Sequence, residues 1–416
     1  MKVIKDRIDF VILMFKRRSI KELIFKNIDV FFGYPLYLLS FLFHRNNDKW
    51  VFGSHVGFSG NPKYFFIYSC KEKHREKCYW IASSKTEARI IKDFGFKSYY
   101  RWSIAGLYHS LTAGVYIYSF HLIDINFWTS GGVKKVNLWH GVGIKNIEFK
   151  SSTGSAKKVY DTNNIFSRIY LPYLFHRPDV FNSTSLLMTD HFCECFRIKE
   201  SNCIEFGYPR CDIFTWSEEL LLDFIDIFEG SESRELVRSL QEYEKVYLYM
   251  PTWRETRYDF ITSSGLKFDE LDEILQQKNE VFLLKLHPAT NLSFESLKTY
   301  KNIIQIDKGI DIYPILPFTN VLITDYSSIY YDYIKMKEKN VILFPFDYDE
   351  YITNNRDLAF NYNDYTPGVR VNDAEALLAC IRNDHSLFFP ERKWIIEKFW
   401  ANEESNASSL IYDYLV

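Results

Sequence analysis

Paired cysteines are missing from this chain: its seven cysteines are scattered without a CxxC. An odd, unpaired set fits reduced thiols in a cytosolic compartment better than a disulfide framework. A charge surplus is missing too, since 51 Lys and Arg stand against 53 Asp and Glu for a net charge of −2. No overall basic field is available to capture nucleic acid, so no nucleic-acid partner is expected. Neither GxGxxG nor GxxxxGK[ST] occurs, which removes the dinucleotide fingerprint and the Walker P-loop. No GxSxG elbow presents a serine for Ser-His-Asp hydrolysis. Apolar runs stay below the ~20 residues of a spanning helix, and there is no internal repeat or low-complexity tract.

What is present is apolar and aromatic. Of 416 residues 47% are hydrophobic, with 36 Phe and 30 Tyr, enough for a large core split over two or three domains. The DHFCEC stretch places His191, Cys193 and Cys195 near Cys203. These are zinc-ligand types, but no second ligand pair stands at structural-zinc spacing, so buried free thiols are expected and no metal. Residues 1–26 carry eight Lys and Arg against three Asp and Glu, interleaved with apolar runs from Ile8 to Phe15 and from Val30 to Phe43, the latter interrupted by Gly33 and Pro35. Segment 1–48 therefore reads as an amphipathic, membrane-associating stretch that meets anionic headgroups as a peripheral anchor on the cytoplasmic face of the cell membrane. Ordinary helices packed on the first domain are the other reading.

From Lys49 onward, short β-branched or aromatic runs alternate with helix-patterned stretches: KWVFGS, CYWIAS, GVYIYSF and KVNLWH, then KVYLYMPTW, VFLLKLHP, NIIQI, NVLITD and NVILFP. Runs of four to six apolar residues are the pattern of strands buried on both faces of a parallel sheet. An α/β class with two Rossmann-like domains facing a central cleft is expected. The boundaries are 49–215 for the first, an interdomain connection at 216–245 with a Gly/Ser break at 230–233, 246–375 for the second, and C-terminal helices over 376–416.

Five strand ends carry chemistry. NLWHGVGIK puts His140 at a strand tip, with Gly141 and Gly143 for tight turning and close approach, then Lys145. A histidine there suits general-base duty, or is a loop His beside a turn. FGYPRCDIF carries Arg210 and Asp212 at another strand-to-loop step, which also reads as a rigid exit on Pro209. YMPTWRET brings Thr252 and Arg254 to a loop, and Arg binds phosphate with a fork of donors or forms a surface ion pair. LLKLHPAT sets Lys285 and His287 on one strand face before Pro288, to meet a diphosphate or to serve as structural groups. ITDYSSIYYDYI runs from a strand through Thr324, Asp325, Ser327 and Ser328 into a helix-compatible run with Asp332. Hydroxyls and unpaired N–H groups at a helix N-terminus form a phosphate cradle, and the same pattern fits an ordinary helix capped by Asp325 or Ser327.

Taken in order, WHGVGIK, GYPRCD, MPTWRE, LKLHP, ITDYSSIYYDY, LFPFDYDEY and RDLAFNYNDYTPG resemble the CDP-glycerol glycerophosphotransferase family, which includes teichoic acid primases and polymerases and related capsule polymerases. GNPKYFFIYS from Gly60 resembles its early segment. The resemblance implies a GT-B fold and transfer of a polyol phosphate, from CDP-glycerol or CDP-ribitol, to a hydroxyl of a lipid-linked or growing cell-surface glycan. CMP is released and no cofactor is obligatory. On that resemblance the catalytic set is His140 as base, with His287 and Arg254. Arg254, His287, Ser327 and Ser328 correspond to donor-diphosphate contacts, and Gly141, Lys145, Arg210, Asp212, Thr252, Lys285, Thr324, Asp325 and Asp332 complete the substrate-binding set.

Three positions depart from the family pattern: Val142 where Thr is common, Cys211 where Asn is common, and Lys285 where Arg is frequent. Two other readings share the architecture, a glycosyltransferase using a nucleotide sugar and a non-catalytic glycan-binding protein.

Overall fold

The computed structural model describes residues 20–254, 260–287, 290, 300–354, 357–402 and 406–416. They form two compact units. The first comprises Met1–His140, Ile147–Arg210 and Asn406–Val416, the second Gly141–Asn146 and Cys211–Ser405.

The first unit holds β1 (Asn46–Phe52), β2 (Cys78–Ala82), β3 (Ser98–Tyr100), β4 (Ala113–Tyr118), β5 (Lys134–Asn137), β6 (Val180–Asn182) and β7 (Cys203–Ile204). They make one sheet in the order β3-β2-β1-β4-β5-β6-β7, parallel throughout. β4 is buried at every position, as a strand covered on both faces must be. Its core gathers Val51, Ile81, Tyr116, Phe127 and Trp128.

The second unit repeats the plan with β8 (Lys245–Tyr249), β9 (Glu280–Leu284), β10 (Ile303–Gln305), β11 (Val321–Thr324), β12 (Asn340–Leu343) and β13 (Val369–Arg370). The order is β10-β9-β8-β11-β12-β13, again all parallel. Both sheets reverse direction of winding beside their first strand, between β1 and β4 and between β8 and β11. Open α/β sheets bind ligands outside the carboxyl ends of the strands at such a switch point. The expected α/β class with two Rossmann-like halves is what the chain forms.

Helix starts follow the polar residues that precede them. Ser84, Ser103, Ser185, Ser217 and Asp373 each accept an N–H from the first turn of the following helix, a cap worth about 1 kcal/mol. Gly230 starts the helix Ser231–Leu240, directly after Glu218–Phe228. The C-terminal helix Ala407–Leu415 belongs to the first unit, where Tyr412 lies 5.5 Å from Trp50, ring to ring.

One sequence reading fails at the N-terminal side. Gly33 and Pro35 do not interrupt the apolar run, because a single helix, Ile20–Ser40, passes through both. Gly33 is there for close approach: a Cβ on it would lie 2.3 Å from the Trp128 ring. Trp128 Nε1 donates to Asp29 at 2.7 Å, and Tyr37 stacks on Phe127 with ring centroids 5.0 Å apart. The opposite side is bare, with Phe31 74%, Phe32 66% and Leu38 69% exposed. The earlier run, Ile8–Phe15, lies outside the described residues. Among the described residues no helix is long and apolar enough to cross a membrane.

Candidate active site

In the first unit, the carboxyl ends of β1, β4 and β5 surround His140. The residue before it, Trp139, sits in the left-handed region at φ 51°, an unfavourable conformation for a bulky side chain. Gly141 and Gly143 do not adopt it, so the left-handed residue of this turn is Trp139 rather than a glycine. Side-chain amides hold the turn instead. Asn137 Oδ1 accepts from Trp139 N at 2.8 Å. Buried Asn61 donates to the carbonyls of Leu138 and Trp139 at 3.3 and 2.8 Å, and its Oδ1 accepts from Arg210 N at 3.3 Å. One amide thus ties together GNPK, WHG and GYPR, and sequence reasoning gave Asn61 no role.

His140 Nδ1 lies 2.9 Å from the Ser119 carbonyl oxygen. A carbonyl only accepts, so Nδ1 carries the proton and Nε2 keeps its lone pair. Dense packing around the ring, with Trp139 at 4.0 Å and Phe120 at 5.4 Å between centroids, desolvates the imidazole and pulls its pKa down to about 4, with the nearby Arg210 charge acting the same way and the Ser119 bond opposing. The His140 surface itself is open to solvent, which weakens the desolvation; the neutral form at working pH is the consequence that stands. Ser119 is fixed in turn by fully buried Asp124, whose Oδ2 accepts from the backbone N–H groups of Ser119 and Phe120 at 3.0 and 2.8 Å.

In the second unit, Arg254 is enclosed. Its Nε and Nη2 meet Asp347 at 3.0 and 2.8 Å, and Nη1 meets Asp325 at 2.7 Å. Burial disfavours the charge, but the two carboxylates more than offset it and hold the guanidinium protonated above its ordinary range. Asp325 also accepts from Thr252 N at 2.9 Å and Tyr326 N at 2.6 Å. Tyr326 OH donates to Asp347 at 3.1 Å, and Thr324 Oγ1 to the Met250 carbonyl at 2.7 Å. The strand ends of β8, β11 and β12 are therefore locked by one buried ion triad. Asp347, within LFPFDYDEY, is its unforeseen member.

β9 ends at Leu284, so Lys285 and His287 stand beyond the strand rather than on one of its faces. Lys285 is buried, and its Nζ donates to the carbonyls of Asp307 and Ile310 at 2.5 and 2.8 Å. Burial lowers its pKa to about 8. His287 is exposed, 6.1 Å from the Trp253 ring; desolvation, with the charges of Lys145 and Lys308, lowers its pKa. Lys145 Nζ lies 5.5 Å from the Tyr351 centroid. Its segment is clipped to the second unit by an antiparallel bridge from Lys145 to Leu358, with Asn146 N donating to Asp357 O at 3.0 Å.

Ser327 and Ser328 are half-buried, and their hydroxyls bond to no other described residue. Ser328 caps the helix Ile329–Tyr333 by position, without a side-chain bond. That helix has five residues, so its dipole is weaker than the expected cradle assumed. Buried Thr252 Oγ1 has no hydrogen-bond partner among the described residues. Asp332 lies in the core, accepting from Tyr313 OH at 2.6 Å. Arg210 is buried with its guanidinium 5.3 Å from the Tyr208 ring, and Asp212 follows in the turn Pro209–Thr215. Away from these sites, His191 and Cys195 pair at 3.4 Å within the helix Leu186–Phe196, and Cys193 and Cys203 sulfurs are 3.8 Å apart.

The model of the CDP-Glycerol:Poly(glycerophosphate) glycerophosphotransferase family matches residues 36–416. Teichoic acid ribitol-phosphate polymerase TarL of Staphylococcus aureus is 27% identical over 286 residues, 65% of this chain and 45% of that protein. A teichoic acid ribitol-phosphate primase of Bacillus spizizenii is 22% identical over 392 residues, 92% of this chain and 95% of that protein. The chain spans about half the length of several curated relatives it matches. Among solved structures, a variant of the wall teichoic acid polymerase TagF soaked with CDPG superposes with a TM-score of 0.72 at 21% identity, covering 100% of this chain and 97% of that one.

Proposed function

This chain belongs to the CDP-glycerol:poly(glycerophosphate) glycerophosphotransferase family, and from that membership we propose that it transfers a polyol phosphate from a CDP-activated donor to a hydroxyl of a lipid-linked or growing cell-surface glycan. The polyol is glycerol or ribitol, and the polymer is of the teichoic acid or capsule kind. The observation that carries the reading is the His140 tautomer, pinned by Ser119 with Nε2 open.

In the proposed step, Nε2 takes the proton of the acceptor hydroxyl. The acceptor oxygen bonds to the distal phosphorus of the donor, the bond from that phosphorus to the bridging oxygen breaks, and CMP leaves with the bridging oxygen. Phosphoryl transfer of this kind needs positioning and charge stabilisation more than covalent chemistry. His287, Ser327, Ser328, Lys145 and Thr252 are the groups we assign to the donor phosphates, since His287 is exposed, Lys145 is cationic, and the hydroxyls of Ser327, Ser328 and Thr252 bond to no other described residue. Arg254, Asp325, Thr324, Lys285 and Asp332 act instead as positioning residues, because each is buried and bonded within the protein. Gly141, Arg210 and Asp212 keep their place in the substrate-binding set on the motifs alone.

The bare apolar side of the helix Ile20–Ser40, with the basic excess of residues 1–26, supports a peripheral position on the cytoplasmic face of the membrane. The test of the reaction is a panel of CDP-glycerol, CDP-ribitol and sugar nucleotides with a lipid-linked acceptor, scored for the released nucleotide and for product mass. CMP release from a CDP-polyol supports the proposal; UDP or GDP release from a sugar nucleotide replaces it with glycosyl transfer.

A further inference from the structure

His55 has no part in the step above, yet it shares a carboxylate with the residue that does. It follows β1 at the switch point of the first sheet, 41% exposed, with Nδ1 3.1 Å from Asp124 Oδ1. A carboxylate oxygen accepts, so Nδ1–H donates to it, and in the neutral ring Nε2 is the nitrogen left to accept. The other oxygen of Asp124 holds Ser119 and Phe120 by their N–H groups, and Ser119 holds His140. One buried carboxylate therefore sets two imidazoles, His55 directly and His140 through a peptide.

The approach of β1 to this carboxylate is built. A Cβ on Gly53 would lie 2.5 Å from the Asp124 carbonyl oxygen, so any larger residue would push His55 away. Arg101 fastens the same turn from behind, donating to the carbonyls of Ile123 and Asp124 at 2.8 and 3.2 Å. The Phe120 ring stands beside both imidazoles, 4.9 Å from His55 and 5.4 Å from His140. Neither Nε2 has a hydrogen-bond partner among the described residues. Two acceptor nitrogens fixed around one aromatic ring match a ligand that offers two hydroxyl donors.

We propose that His55 orients the acceptor: its Nε2 receives a hydrogen bond from a second hydroxyl of the polyol chain end whose attacking hydroxyl is bonded to Nε2 of His140. The proposal rests on the polyol-phosphate transfer reading and adds the acceptor's hydroxyl pattern to it. Two-point attachment fixes the rotation of the attacking oxygen, a restriction that a single hydrogen bond leaves open. Asp124 is then a positioning residue for both histidines.

The experiment compares two synthetic acceptors with the full chain, a polyol-phosphate terminus and its analogue lacking the neighbouring hydroxyl. Wild type is expected to favour the complete terminus by roughly tenfold in kcat/KM, the worth of one hydrogen bond. His55→Ala should erase that preference by losing activity on the complete terminus alone, and His55→Gln, with an amide oxygen that also accepts, should restore part of it. His55 is exposed, so both variants should fold, as thermal melting will show. If His55→Ala keeps the wild-type preference, the proposal is overturned while the transfer reading stands. If wild type releases no CMP from CDP-glycerol or CDP-ribitol, both fall together.

Discussion

The Ser119 carbonyl oxygen and His140 Nδ1, 2.9 Å apart, decide which imidazole nitrogen is left open at the end of the strand. The bond reaches across from the end of β4 to the third residue beyond β5, so it depends on sheet register rather than on side-chain choice at position 119. His140→Ala should lower kcat by roughly 10²- to 10⁴-fold, and the melting temperature should hold, because the ring is exposed. CMP release together with thermal melting checks this; near-normal turnover would remove His140 from the base role.

Arg254 lies between Asp325 and Asp347 with every one of the three buried. Arg254→Met leaves two carboxylates buried without a counter-charge, a loss of about 3–5 kcal/mol. Urea unfolding of the variant should show it as a lower midpoint with unchanged slope. Full stability with lost turnover would instead make Arg254 a donor contact.

Asn61 should behave differently. Asn61→Leu keeps the volume but leaves the Leu138 and Trp139 carbonyls without their donor, at a cost of about 1–3 kcal/mol. With the left-handed Trp139 no longer held, His140 drifts from its alignment. The expected result is a fall in kcat larger than that stability loss explains, with donor KM unchanged.

Two histidines make stability fall in acid. Desolvation, with the Lys49 and Lys97 charges acting the same way, lowers His109 to about 4, and desolvation lowers buried His121 to about 3. The unfolded chain, with histidines near pH 6.5, binds protons that the native state refuses. Stability therefore declines as pH drops from about 6.5 toward 4. His109 is stacked on Tyr79 and Tyr99 at 4.0 and 4.6 Å, so His109→Phe should preserve the stack and flatten the decline. Urea midpoints at several pH values measure the slope, and an unaltered slope would sink the assignment.

Replacing Phe31, Phe32 and Leu38 by Ser should reduce cosedimentation with anionic vesicles without lowering the melting temperature, since these side chains are exposed in the free protein. Loss of vesicle binding accompanied by unfolding would point to a packing role instead.

Strands long enough to show a pattern were legible in the sequence. β4 and β9 are buried at every position and read as apolar runs. β3, β6, β7 and β13 span two or three residues, too few for any periodicity, and only the sheet makes them strands. Among the candidate groups, His140, Ser327 and Ser328 lie beyond strand ends as the motifs suggested, His140 exposed and the two serines half-buried. The motifs could not tell a ligand contact from a buried tie, because that depends on partners distant in the chain. Arg254 meets Asp347 across 93 residues, and Asn61 meets Trp139 across 78. Spacing within a motif carries no trace of either.

The passage of the chain between its two units bears on any attempt to dissect it. The backbone leaves the first unit after His140, returns at Ile147, leaves again after Arg210 and comes back at Asn406. A fragment ending at Arg210 would carry residues 141–146 without the 357–359 segment they pair with, and would lack the helix that covers Trp50. Expressed separately, each half would lack pieces of its own unit, so the full chain suits this architecture better than domain-by-domain expression. For the same reason a tag is safer following Val416 than replacing the last helix.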